Sequence, residues 1–161
     1  DIYLQSRSTH LVFKSSPIGE LGYAKYDTLV DAQWVPSGIA YNSLNDSLIF
    51  LYRNSLQNNN YRLRLTSKNN ISDNSTKDDE FIVNDIDSTH HDIYSLTFAN
   101  SKLYALAVKN NEDVLLTFDY HTFSVENTEI IDDSTVVGIS IFDNSIYLSY
   151  RDKRILKFKE L

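Results

Sequence analysis

The chain has 161 residues, 42% of them apolar, enough to build the core of one domain. Its net charge of −7, with 15 Lys and Arg scattered among 22 Asp and Glu, excludes the basic face that a nucleic-acid partner needs for counterion release. The absence of cysteine excludes disulfides, zinc-thiolate sites and thiol nucleophiles, and favours an intracellular protein of the nucleus or cytoplasm.

β-Branched and aromatic residues alternate at period two in short segments, and no stretch has sustained helical spacing. In chain order the expected strands are Ile2–Leu4, Leu11–Lys14, Gly22–Tyr26, Val30–Val35, Leu48–Arg53 and Tyr61–Leu65. After them come Ile93–Phe98, Leu103–Val108, Val114–Tyr120, Val136–Phe142, Ile146–Tyr150 and Arg154–Phe158. The apolar runs Ile39–Tyr41 and Leu48–Tyr52 are too short for a membrane-spanning helix, so no membrane partner is expected. With only four Gly and two Pro, the tight turns fall to Asn45-Asp46-Ser47, Asn100-Ser101, Asn110-Asn111 and Asp143-Asn144-Ser145. Asn and Asp tolerate the left-handed backbone that hairpins require. The stretch from Ser67 to Glu80 (67–80) carries Ile71 as its one apolar residue and reads as a mobile polar loop within a single all-β unit, 1–161.

Two stretches superimpose. Tyr94 to Leu106 followed by Val114–Phe118 matches Val137 to Tyr150 followed by Arg154–Phe158, with Leu96 and Ile139, and Tyr104 and Tyr147, each 43 positions apart. A looser copy joins Leu29–Trp34 to Asn45–Tyr52 and Tyr61–Leu65, with 55 positions between Leu48 and Leu103. A period of about 40–45 residues with three or four short strands per unit is the pattern of β-propeller blades. One such sheet cannot bury both faces alone, so it packs between neighbours. The expected fold class is therefore all-β: three full blades plus an N-terminal partial blade (Ile2 to Tyr26). That is too few for a closed seven-bladed ring, and the first residue is Asp1 rather than Met. We expect part of a larger propeller, whose partners include the rest of its own propeller chain. A sandwich or barrel with evenly spaced hairpins is the alternative.

Asp152-Lys153-Arg154-Ile155-Leu156-Lys157-Phe158 resembles the closing strand of a WD40 repeat. Phe158 stands where that family has Trp and Lys159 where it has Asp, and the sequence contains no Gly-His pair, so the likeness is to degenerate repeats. Leu29–Trp34, Asn45–Arg53 and Tyr61–Leu65 together resemble the carboxyl-terminal propeller part of the anaphase-promoting complex subunit 4 family. That resemblance implies a ubiquitin-ligase scaffold subunit of the cell-cycle machinery, bound to other protein subunits and without catalysis of its own.

Each candidate site residue also has a plainer role. His90-His91-Asp92 suggests metal ligands, but adjacent strand residues point to opposite faces, and His10 and His121 lie far off in sequence. The carboxylates Asp78-Asp79-Glu80, Asp85, Asp87 and Asp132-Asp133 read as a solvated face. Neither Asp73 nor Asp85 begins a calcium loop, which needs Gly at its sixth position and Glu at its twelfth. No nucleophile elbow, phosphate loop or dinucleotide fingerprint occurs. No catalytic, cofactor or metal residue is expected, and no enzyme. Asn45, Asn70 and Asn74 open glycosylation-type triplets at the frequency chance allows. Trp34, Tyr41, Tyr52 and Tyr61 offer a sugar-stacking or partner groove, the basis of an alternative reading as a secreted propeller lectin. Trp34 has no repeated equivalent, which favours a core role for it. A non-enzymatic interaction scaffold is the leading reading.

Overall fold

In the computed structural model, described for residues 2–5, 11–15, 21–26, 33–57, 60–67, 80–83, 90–132 and 135–161, every regular element is a β-strand. The first sheet joins β1 (Ile2–Gln5), β2 (Leu11–Ser15) and β3 (Leu21–Tyr26). The second holds β4 (Trp34–Asn42), β5 (Ser47–Asn54), β6 (Tyr61–Ser67) and β7 (Glu80–Val83). The third holds β8 (His90–Ala99), β9 (Lys102–Lys109), β10 (Glu112–Asp119) and β11 (Val125–Ile131). The fourth joins β12 (Val136–Phe142), β13 (Ser145–Tyr150) and β14 (Ile155–Glu160). All neighbouring strands are antiparallel meanders, and the first strand of each sheet lies beside the first strand of the next. That arrangement places β1, β4, β8 and β12 innermost, with later strands running outward, as in propeller blades.

Alternation along the middle strands builds the core. In β9, Leu103, Ala105 and Ala107 face the second sheet, where Ile49, Leu51, Tyr61 and Leu63 meet them. Tyr104 and Leu106 point the other way, to Val136, Ile146, Leu148 and Tyr150 of the fourth sheet. A third cluster, Trp34, Leu48, Phe50 and Tyr52, lies on the face of the second sheet turned away from the third. These middle strands are buried on both faces, so their sequences are nearly continuous apolar runs rather than clean alternations. Each fully buried Leu or Phe contributes about 1.5–3 kcal/mol of transfer free energy.

The hairpin turns fall where Asn and Asp were expected. Asn100-Ser101, Asn110-Asn111 and Asp143-Asn144 all have positive φ at both positions, between 45° and 67°, the geometry whose twist matches antiparallel strands.

Three expectations need correction. The first strand of the second sheet is Trp34–Asn42, not Val30–Val35, of which residues 30–32 lie outside the described residues. Pro36 and Gly38 lie inside this strand, where a register shift between them accommodates both. Strands β7 and β11 were not expected. β11 is an edge strand whose central residues, Glu126 to Glu129, are all polar, so it carries no apolar alternation to read. The fourth sheet has three strands among the described residues, within the three or four per unit that the repeat predicts. Ser67 and Glu80 belong to strands, and the rest of the expected mobile loop, 68–79, lies outside the described residues.

Candidate functional site

The turns that join first to second strands lie along one rim, together with the β10–β11 connection, and side chains tie them across sheets. Asn45 of the second sheet reaches the Tyr120 hydroxyl of the third at 3.5 Å. The Asn100 amide donates to the Asn144 carbonyl at 2.9 Å, and Asn144 donates in turn to the Leu161 carbonyl at 2.8 Å. Asn100 and Asn144 thus do two jobs, supplying left-handed turns and linking adjacent sheets.

Asp119 organises the β10–β11 connection. Its carboxylate accepts from the Thr122 amide (2.7 Å), the Thr122 hydroxyl (2.9 Å) and the His121 amide (2.9 Å). The two Thr122 bonds, chiefly the backbone one, hold the Asp119 carboxyl below the usual carboxylate range. The loop folds Phe123 inward at φ 54°, beside Tyr120, whose ring also stands edge-on to Phe98 at 4.9 Å.

Below this rim, between the third and fourth sheets, lies a cleft of about 610 Å³ lined by Lys102, Tyr104, Glu126, Asn127, Lys159 and Glu160 among others. Its charges neutralise one another. Lys102 donates to Glu126 at 2.7 Å, which raises the Lys102 pKa, Lys159 pairs with Glu129, and Lys157 pairs with Glu160 at 2.7 Å. Exposed ion pairs of this kind contribute little net stability, and none leaves a charge poised for acid–base work.

Both ends of the second sheet carry a more distinctive device. Asn42 and Asn54 end strands β4 and β5 with buried side chains, and each accepts a backbone N–H from a leucine two residues on. Leu44 donates to Asn42 Oδ1 and Leu56 to Asn54 Oδ1, both at 2.9 Å. These Asx turns hold Leu44 and Leu56 out in solvent, at 69% and 75% exposure. The sequence did not single out either leucine, although Asn-Ser-Leu occurs at both turns.

Trp34 is buried under the Arg62 guanidinium, 4.2 Å from its ring centroid, and Tyr52 and Tyr61 are fully buried. Of the four aromatics considered for a groove, Tyr41 alone is exposed, and its hydroxyl donates to Asp46. His121 sits exposed in the β10–β11 turn, and Asp92 faces Arg53 at 3.5 Å. Asp132 is exposed after β11, while His90, His91 and Glu80 lie on strands. Among the described residues no group of three or more His, Asp or Glu is placed to hold a metal ion. His10, Asn70, Asp73, Asn74, Asp78, Asp79, Asp85, Asp87 and Asp133 lie outside the described residues.

Sheets of three or four antiparallel strands, stacked with their first strands side by side, define β-propeller blades. Solved structures share this fold. The chain aligns with a crystal structure of a nidogen/laminin complex at TM-score 0.61 and 10% identity, over 98% of this chain and 54% of that one. It aligns with virginiamycin B lyase from Staphylococcus aureus at TM-score 0.57 and 13% identity, over 99% and 48%. With the WD40 β-propeller domain of Doa1 the TM-score is 0.51 and the identity 11%, over 98% and 60%. The chain thus spans between about half and three-fifths of the length of these structures. The second is an enzyme by name, and at such identities the likeness carries the fold alone. No protein-family model matches the chain, and neither does any curated protein.

Proposed function

We propose that the chain is a non-catalytic scaffold, a run of propeller blades that holds other protein subunits within an intracellular assembly. The observation that carries this reading is the pair of solvent-exposed leucines, Leu44 and Leu56, each locked by a buried asparagine at opposite ends of one rigid sheet. Because each bond holds the leucine's backbone N–H, the turn that presents the side chain is already ordered and loses little chain entropy on binding, which suits a contact residue on a loop. The self-paired charges of the cleft support a non-catalytic role. The likeness of Leu29–Trp34, Asn45–Arg53 and Tyr61–Leu65 to the anaphase-promoting complex subunit 4 family supports a ubiquitin-ligase assembly as the particular setting.

The test isolates the tagged chain from its native cells and compares it with a Leu44→Glu, Leu56→Glu variant of equal thermal midpoint. A partner recovered in fixed stoichiometry with the native chain, and lost with the variant, is the expected result. Equal recovery by both removes these leucines from the interface, and recovery of the native chain alone refutes the scaffold. The presence or absence of ubiquitin-ligase subunits in the recovered assembly decides the particular setting.

A further inference from the structure

The three later sheets share one register, and it relates their outward faces residue by residue. Just after a bulge in each first strand, a row of three residues crosses the sheet. The row is Gly38–Leu51–Leu63 in the second sheet, Ser95–Leu106–Leu115 in the third and Gly138–Ser149–Ile155 in the fourth. The next row on the same face reads Ala40–Ile49–Leu65, Thr97–Tyr104–Thr117 and Ser140–Tyr147–Lys157. In the second sheet these rows are covered by the third, and in the third by the fourth. Leu106 and Leu115 have no solvent exposure. In the fourth sheet the same face stands open. Ile155, the counterpart of Leu115, is 67% exposed, and Phe142, four residues beyond Gly138 along β12, is 72% exposed.

The first residue of each row is small for a local reason. A Cβ on Gly38 would stand 2.9 Å from Cγ of Leu96, so glycine lets the next sheet's first strand close in. Ser95 occupies the equivalent place in the third sheet and accepts the backbone N–H of Ile139 at 3.3 Å. Leu96 and Ile139 are themselves equivalent, 43 positions apart. Gly138 repeats this notch, and a Cβ there would meet only the Ser149 hydroxyl, at 2.7 Å, which can rotate away.

We propose that the outward face of the fourth sheet is a docking surface for a further propeller-type β-sheet, which seats an aliphatic side chain of its first strand over Gly138. The occupant is a single antiparallel sheet in the next blade position, with a Leu or Ile where the third and fourth sheets carry Leu96 and Ile139. Two observations select it over other apolar partners. Both preceding interfaces bury these same register positions in that way, and solved structures of this fold continue for about as much chain again. The proposal deepens the scaffold reading by naming the partner of one face. Its readout is protection of position 155 in the isolated chain, whereas the scaffold reading is tested by partner recovery, so either can fail alone.

The chain has no cysteine, so a single Ile155→Cys substitution gives one reporter thiol. In the full chain it is expected to react with a maleimide at the rate of a Leu56→Cys control. The probe is a second copy of residues 121–161 appended after Leu161, in which 125–131 supplies the outer strand that carries the chain from the Asn144 rim to the start of the next sheet. It is expected to slow the Ile155→Cys thiol at least tenfold without slowing the Leu56→Cys thiol. Gly138→Leu in the extended chain, by filling the notch, is expected to restore the fast rate. A parallel extension with residues 121–135 followed by 90–131, which presents Leu96 in place of Ile139, guards against failure of one appended sheet to fold. Protection of the position-155 thiol by neither extension overturns the proposal. So does concentration-dependent protection in the unextended chain accompanied by a dimer in light scattering, because a second copy of the chain then holds the face.

Discussion

Leu115 and Ile155 occupy the same register position in consecutive sheets, so one substitution at both sites isolates the effect of the covering sheet. Leu115→Ala removes three carbons from a site with no solvent exposure, beside Leu106 and under the fourth sheet. Lost transfer free energy plus the residual cavity place the cost at about 3–4 kcal/mol. Ile155→Ala removes a side chain that is 67% exposed and is expected to cost no more than about 0.5 kcal/mol. Urea unfolding followed by far-ultraviolet circular dichroism and by the fluorescence of the single tryptophan, Trp34, gives both midpoints and slopes. For a chain of this length the Leu115 variant is expected to melt about 6–15 °C lower. Equal losses at the two sites, or a loss below about 1 kcal/mol at Leu115, refute the blade equivalence on which the docking surface rests.

Other outcomes follow from particular contacts. Gly38→Ala is expected to cost about 1–3 kcal/mol through overpacking against Leu96. Much less of that cost is expected in a Leu96→Ala background, a coupling that a double-mutant cycle of thermal midpoints measures. Tyr94 is held protonated by burial and by the hydrogen bond that its hydroxyl donates to Asp113 at 2.8 Å, and both raise its pKa. In a spectrophotometric titration this tyrosine is expected to ionise after the exposed ones, and Tyr94→Phe to lower the amplitude of the late phase, which Tyr61 and Tyr104, also raised by burial, share. The stability it links to is complete below the ordinary tyrosine range, near pH 10, and is lost only as the pH climbs through the raised value. For Asp119 the sign is opposite. Its lowered carboxyl pKa stabilises the β10–β11 turn above about pH 4, and that contribution fades as the pH falls through the lowered value. Carboxyl NMR checks it, with Asp119→Asn removing the acid dependence and an ordinary Asp119 pKa counting against the turn geometry.

The all-β character, the 43-residue repeat and the tight turns were legible in the sequence, because they depend on local chemistry. Period-two burial needs no knowledge of neighbours, and Asn or Asp at a two-residue turn announces a left-handed backbone wherever it occurs. The first strand of the second sheet was not legible. Pro36 and Gly38 signal a break in one dimension, and only the register shift against β5 shows that a strand can carry them. β11 escaped for a related reason, since an edge strand with exposed faces has no apolar period to detect. The exposed leucines gave no signal either, because a single leucine in a turn carries no period, and only the bonds from Asn42 and Asn54 to the Leu44 and Leu56 amides show how the turns present them. Local alternation determined what kind of sheets this chain makes. Which faces are covered, and that the fourth sheet keeps one open with a notch at Gly138, was decided only by how the sheets stack, because burial at a register position depends on the sheet that lies opposite.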